Sequence, residues 1–219
     1  CPLILSSNIN DSIGAIHVKN EKKISNKEIK DIFHSLKKEI VIFRRNKNVI
    51  SKKKTLENYL DFGVKKVYKL WGFSKTDITR IENFGYERLD FRSKDLLKII
   101  DQSKIKFLPK YIPSDGIYNR GFKNIGILDG TSHFIELFKV KKIKKKKDCK
   151  YLNISSNDLF FLIHAGSGDI GRIFHHYVLE KNVNNVIPHS KLGKLIKNFY
   201  LAASNYGFVN RLYIYKKIK

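Results

Sequence analysis

Methionine is absent from all 219 residues, and cysteine occurs only as Cys1 and Cys149. Two cysteines exclude the disulfide framework that staples small secreted domains, and a reducing cytoplasm is the simplest setting. A chain without methionine even at position 1 reads as a processed product or a fragment. No run of eighteen apolar residues occurs, which excludes a membrane-spanning helix, and the N-terminus carries no signal-peptide pattern. Acidic residues are scarce: Asp and Glu number 20 against 44 Lys and Arg, a formal charge of +24. A charge of that size favours polyanions, nucleic acid above all, through phosphate contacts and counterion release. The same excess also follows from a composition rich in Lys, Ile and Asn with no binding role, and charge alone does not separate the two. The apolar fraction of 42% is enough for a real core, in one large domain or two small ones.

What is present is a series of short periodic segments. Ala15 to Val18 reads as a strand entered through a polar turn, with Asp11 near its mouth. Taken alone, Asp11 is as readily an Asx-turn residue. Ser25-Asn26-Lys27-Glu28 has the form of a capping box, and Ile29, Ile32, Phe33, Leu36 and Ile40 follow at helical spacing. Asn46 to Lys54 reads as a lysine-rich loop. Tyr59 to Leu70 looks helical and ends at Trp71, a core anchor. Asp77 to Phe84 predicts a helix stopped by Gly85, and Ser93 to Ile100 another with Ser93 as its N-cap. Phe107 to Phe122, with two prolines and two glycines, reads as a loop or linker.

Two later stretches carry chemistry. Gly126-Ile127-Leu128-Asp129-Gly130-Thr131-Ser132-His133-Phe134-Ile135-Glu136 delivers a histidine from a glycine-containing loop into an apolar strand, expected over His133–Val140. Leu159 to Ile163 is an apolar run that fits a strand buried on both faces; it meets His164 and then the turn Gly166–Gly171. Two histidines at strand ends can meet at a metal, and a strand, a glycine-rich turn and a helix N-terminus together suit an anion. Between them lies Lys141-Lys142-Ile143-Lys144-Lys145-Lys146-Lys147. Its plainer reading is an exposed hairpin loop rather than a dedicated nucleic-acid site, one that still contributes to binding RNA non-specifically. His175 and His176 sit on a following helix as partly exposed residues. A last helix runs from about Leu192 to Asn210-Arg211.

Several of these segments, in this order, resemble the RtcB family of RNA-splicing ligases. The family carries Asp-x-Gly-Cys-Gly, Gly-Thr-Leu-Gly-Gly-Gly-Asn-His-Phe-x-Glu and His-Ser-Gly-Ser-Arg-x-x-Gly motifs. Gly126 to Glu136 corresponds to the second and His164 to Gly171 to the third. Gly63 to Tyr86 looks like the family's connecting region, and the helix from Tyr200 to Arg211 like its helix ending in Asn-Arg. The departures are specific. Ile13 stands near the position of the family's metal cysteine, Ser132 at the motif asparagine and Gly168 at the motif arginine. The first motif is one residue short, so Asn10 or Asp11 matches its aspartate.

The resemblance implies a mixed α/β fold, with central sheets flanked by helices, and residues 1–219 forming one incomplete portion of a single catalytic domain. It implies a GTP- and Mn2+-dependent ligase, with two metal ions, that joins 2′,3′-cyclic-phosphate or 3′-phosphate RNA ends to 5′-hydroxyl ends in tRNA splicing or RNA repair. By the same resemblance Asp11, His133 and His164 would be metal ligands, and Ser132, His133, Phe134, Ile135 and Glu136 would touch the guanine nucleotide or its phosphates. The histidine that becomes guanylylated is expected downstream of Lys219, so the chain alone is not expected to complete the cycle. The implied partners are RNA (tRNA halves or broken RNA) and an archease-like accessory protein, in the cytoplasm. The alternative is an inactive remnant that keeps the fold and binds RNA or a partner protein.

Overall fold

The computed structural model describes residues 9–20, 22–42, 53–102, 116–128, 132–181 and 187–219. Strand β1 (Ser12–Val18) leads to helix α1 (Asn26–Glu39) and the short β2 (Val41–Ile42). Helices α2 (Lys53–Phe62), α3 (Lys75–Ile78), α4 (Ser93–Gln102) and α5 (Gly116–Lys123) follow. Then come β3 (Ile127–Leu128), β4 (Phe134–Lys139), α6 (Lys146–Tyr151), β5 (Leu159–Ala165), α7 (Gly168–Glu180) and α8 (Lys191–Ile218). The architecture is the expected mixed α/β one. The main sheet is antiparallel in the order β1-β5-β4, and β2 pairs with β3 in parallel. No helix among the described residues is long and apolar enough to cross a membrane.

Helix α8 is the spine. From Ile196 to Ile214 it is buried on nearly every side, and Phe199, Tyr206, Val209 and Leu212 join the larger core with α2, α4 and α7. Each such large apolar side chain contributes about 1.5–3 kcal/mol on burial. A smaller core lies between the sheet and the C-terminal end of α8, where Ile163, Ala165, Leu128, Ile40 and Ile214 meet. Helix α1 closes this core through Leu36. Its predicted capping box forms: the Ser25 hydroxyl accepts from the Glu28 N–H at 3.2 Å, and the Glu28 carboxylate accepts from the Ser25 N–H at 2.7 Å.

The structure revises several expectations. Strand β1 begins at Ser12 rather than Ala15 because it pairs with β5 along its whole length, Ser12 opposite Ala165 and Val18 opposite Leu159. Strand β5 continues through His164 to Ala165. Its buried and half-buried residues alternate, so one face meets the core and the other is partly open. The helix expected to run through Leu70 stops at Phe62, since Gly63 takes φ 51°, and only short 3-10 turns continue it. Trp71 still anchors the core, edge-to-face against Tyr59 and Tyr213 with centroids 6.0 and 5.1 Å away.

No single helix spans Asp77 to Phe84. Ser74 caps the four-residue α3, and Asn83 and Phe84 both adopt left-handed backbone. Helix α4 begins at Ser93 itself, whose hydroxyl donates to the Glu57 carbonyl at 3.2 Å. Residues 116–122, expected in a loop, lie in α5. The rest of that loop, and most of the loop at Asn46–Lys54, falls outside the described residues. Helix α8 runs past Arg211 to Ile218.

Candidate functional site

Pairing of the three main strands brings the end of β5, the start of β4 and the entry to β1 to one edge of the sheet. His164 is the cross-strand partner of both Phe134 and Ile13. Asp11 immediately precedes β1, and His133 immediately precedes β4. The three expected ligands therefore converge. Asp11 Oδ1 lies 3.0 Å from His164 Nε2 and 3.2 Å from His133 Nε2. The His133 side chain is wholly buried, while a fifth to a quarter of His164 and Asp11 stays accessible. The two imidazoles meet edge to face at 5.7 Å.

The tautomer of His164 follows from its other contact. Nδ1 lies 2.8 Å from the Ser132 carbonyl oxygen, which can only accept, so Nδ1 carries the proton. In the neutral ring Nε2 then turns its lone pair toward the Asp11 carboxylate. Two acceptors 3.0 Å apart need a proton or a cation shared between them. A ring N–H spent on a backbone carbonyl, with the opposite nitrogen facing outward, is how a metal-binding histidine is held.

The donor chemistry, two imidazole nitrogens and one carboxylate, suits a transition-metal dication such as manganese. The pairwise N–O spacings match neighbouring donors on a six-coordinate ion with bonds of about 2.1 Å, which lie about 3 Å apart. Even so, no group of three or more His, Cys, Asp and Glu among the described residues is arranged as a ready cage for an ion. The carboxylate instead contacts both rings directly.

Two consecutive residues of α8 position all three segments. Arg211, buried beneath Asp11, donates through Nη1 to the carbonyls of Asn10 and Ala165, both at 2.6 Å, and through Nη2 to Asn10 Oδ1 at 2.9 Å. Burial pulls the Arg211 pKa below its ordinary value, against the opposing pull of Tyr215, Asp11 and Glu82. Asn210 accepts the Gly126 N–H at 2.6 Å and donates to the Gly166 carbonyl at 3.0 Å, tying the first histidine stretch to the second. The loops are further joined where the Ser167 N–H donates to the Ile9 carbonyl at 3.0 Å.

Of Asn10 and Asp11, it is Asp11 whose side chain contacts both imidazoles. Asn10 is turned away into left-handed backbone (φ 54°) and donates to the Ser204 carbonyl at 2.9 Å. The sequence had placed Asn210 and Arg211 but had not read their work. Asn198, Asn205, Asn210 and Arg211, polar residues set among the apolar ones of α8 and buried with them, were the available signal.

The remaining expected residues divide by face. Phe134 tilts against the His164 ring at 5.1 Å, and Glu136 is exposed on the same side of β4. Ile135 turns the other way, into the smaller core. Ser132 is exposed and contributes its carbonyl. Ile13, near the family's cysteine position, is 58% exposed and directly opposite His164. A Cβ on Gly168, where the family motif has arginine, would meet nothing within 4 Å. His175 lies away from this edge, on α7, with Nδ1 3.2 Å from the Tyr200 hydroxyl; burial, then His176, lowers its pKa.

Fold and site together define a mixed α/β protein with a two-histidine, one-carboxylate cluster at the end of an antiparallel sheet. Residues 12–219 match the family model described as tRNA-splicing ligase RtcB, and the chain belongs to the RtcB family. It is similar to the tRNA-splicing ligase RtcB of Methanococcus maripaludis, 29% identical over 90 residues. That stretch covers 41% of this chain and 18% of the relative.

Proposed function

We propose that this chain is the metal-gathering portion of a GTP- and Mn2+-dependent RNA ligase of the RtcB type. Such a ligase joins 2′,3′-cyclic-phosphate or 3′-phosphate RNA ends to 5′-hydroxyl ends, in tRNA splicing or RNA repair. On this reading residues 1–219 form one portion of a single catalytic domain. Its setting is the cytoplasm, and an archease-like protein is its accessory. One observation carries the proposal: a carboxylate oxygen lies within 3.2 Å of two histidine nitrogens, one of which has its opposite ring nitrogen fixed as a donor by the Ser132 carbonyl.

Asp11, His133 and His164 would hold the metal. Bound there, a dication supplies charge stabilisation to phosphoryl oxygens. The chain's own residues do the positioning. Ser132 fixes the His164 ring, Arg211 holds the backbone on either side of the Asp11 contact, and Asn210 keeps the two histidine loops at a set separation. His133 and the open face of β4, with Phe134 and Glu136 beside Ser132, would face the guanine nucleotide, to which Ile135 offers backbone alone.

A second reading has its own support. Ile13 offers no thiolate beside His164, and Gly168 offers no guanidinium at the head of α7. A chain so altered fits a remnant that keeps the fold and binds RNA or a partner protein without catalysis.

Titrating Mn2+ into the protein, with free ion followed by electron paramagnetic resonance, tests the metal assignment. His133→Ala and His164→Ala should each weaken binding at least about tenfold, as loss of metal-supporting groups generally does. Unchanged affinity in both variants refutes the assignment. A labelled GTP analogue then separates the two readings. Nucleotide affinity that rises with Mn2+ supports the ligase, and RNA binding with no nucleotide affinity supports the remnant.

A further inference from the structure

The connection between β4 and β5 takes no part in the site. It leaves the sheet at the end opposite Asp11, about 20 Å from His133 along the six residues of β4. It is a built element. At its neck the Val140 N–H donates to the Asp158 carbonyl at 2.8 Å, and the Asn157 N–H donates back to the Val140 carbonyl at 3.0 Å. Beneath the neck the buried Asp158 carboxylate accepts from the N–H groups of Ser155 at 2.7 Å and Asn20 at 3.1 Å, and pairs with the His17 ring at 2.7 Å. Above it stands α6, whose end is closed by the Leu152 N–H on the Asp148 carbonyl and the Ile154 N–H on the Cys149 carbonyl. Ile143 and Ile154 are half-buried within it.

This frame presents cations and an aromatic ring to solvent. Lys141, Lys142, Lys144 to Lys147 and Lys150 are all exposed, and Asp148 is the one carboxylate among residues 141–153. None of these lysines is ion-paired among the described residues. Tyr151 is 88% exposed and its neighbour Leu152 57%. An ordered element that keeps a tyrosine and a leucine in water amid uncompensated positive charge suits a partner offering negative charge and flat apolar faces together. Single-stranded nucleic acid offers both, as phosphates and unstacked bases. A membrane surface calls for a longer amphipathic helix with a separate apolar side, and α6 has six residues. An acidic protein would also cover the ring, but seven exposed lysines on one short element match the regular charge spacing of a phosphate backbone.

We propose that residues 141–152 form a docking arm for single-stranded RNA, with the lysines on phosphates and Tyr151 stacked on a base. This rests on the RNA reading above and adds where a strand is held: about 20 Å from the histidines, clear of the reacting end.

The test is fluorescence anisotropy with a labelled twelve-nucleotide single strand and its duplex, from about 50 to 200 mM salt. Four proteins suffice for the arm: the full chain, a variant with Lys144→Gln, Lys145→Gln, Lys146→Gln and Lys147→Gln, and the single variants Tyr151→Ala and Tyr151→Phe. The quadruple variant should flatten the dependence of log K on log salt by about 2.8, at about 0.7 per single-strand phosphate contact. Tyr151→Ala should weaken single-strand binding about fivefold or more at every salt concentration with no change of slope, while Tyr151→Phe binds as the unaltered chain. Circular dichroism and melting should match in all of them, since every altered side chain is exposed.

If the unaltered chain binds RNA and the variants bind equally well, the arm is wrong and the RNA reading stands. An unaltered chain with no RNA affinity removes both. Variants that keep RNA affinity but lose binding to anionic lipid vesicles would assign the arm to a membrane and overturn the proposal. So would duplex binding tighter than single-strand binding and indifferent to Tyr151→Ala.

Discussion

Asn210→Leu should lower the melting temperature by about 8–16 °C. The residue is 1% exposed, and both of its partners, the Gly126 N–H at 2.6 Å and the Gly166 carbonyl at 3.0 Å, belong to buried glycines. Leucine keeps the branched shape but neither donates nor accepts. Two buried backbone groups then lose their partners at about 1–3 kcal/mol each, or about 4 kcal/mol together. For a chain of this length each kcal/mol moves the midpoint by about 2–4 °C. Asn210→Asp sharpens the test. It still accepts from Gly126, but sets a charged oxygen against the Gly166 carbonyl oxygen, so it should melt lower than the leucine variant or fail to fold. Scanning calorimetry reads both. A leucine variant melting within about 3 °C of the parent, or an aspartate variant as stable as the parent, would show that Asn210 does not couple the two histidine loops.

Acid should weaken the fold partly through Asp158. Burial disfavours its charge, yet the Ser155 N–H, His17, the Asn20 N–H and Lys19 together hold its carboxyl well below the usual carboxylate range. A pKa lowered by folding stabilises the native state above the unfolded value of about 3.9, and that contribution fades as pH falls toward the folded value. Asp158→Asn should therefore be less stable than the parent at pH 7, with the gap narrowing by pH 3. Urea midpoints at the two pH values measure it, and a constant gap contradicts the assignment. Gly63→Ala should cost at least about 2 kcal/mol more than Gly72→Ala in denaturant titrations. Both glycines have positive φ, but a Cβ at Gly63 would sit 2.2 Å from the Gly85 carbonyl oxygen, while one at Gly72 meets nothing within 4 Å. Equal costs would show that the close approach is relieved by relaxation.

Local signals were legible where one short stretch decides the outcome. The Ser25–Glu28 box starts α1, the apolar run after Asp158 makes β5, and the glycines after His164 open α7. The histidine motifs ended at one sheet edge as expected, because each strand was readable and antiparallel pairing did the rest. What failed depends on contacts distant in sequence. The helix that Asp77–Phe84 suggested ends at Ile78, and Ile81 is extended before left-handed Asn83 and Phe84. The glycines of residues 116–122 suggested a loop, yet Gly121 lies in α5 because Leu56 and Ile170 press against it and leave no room for a side chain. Asp11 and Asn10 were indistinguishable until Arg211 claimed Asn10 from 201 residues away. No spacing rule reaches that far.

That span has a temporal side. A ribosome makes Asp11 long before Arg211, and His133 and His164 also precede the two α8 residues that brace them. Until the far end of α8 condenses onto the sheet, the donors belong to segments with no fixed distance between them, and the loops joining them must be closed first. The cluster therefore cannot assemble before the far end of α8 is in place. On the metal reading proposed above, any selectivity for the ion would belong to the finished fold.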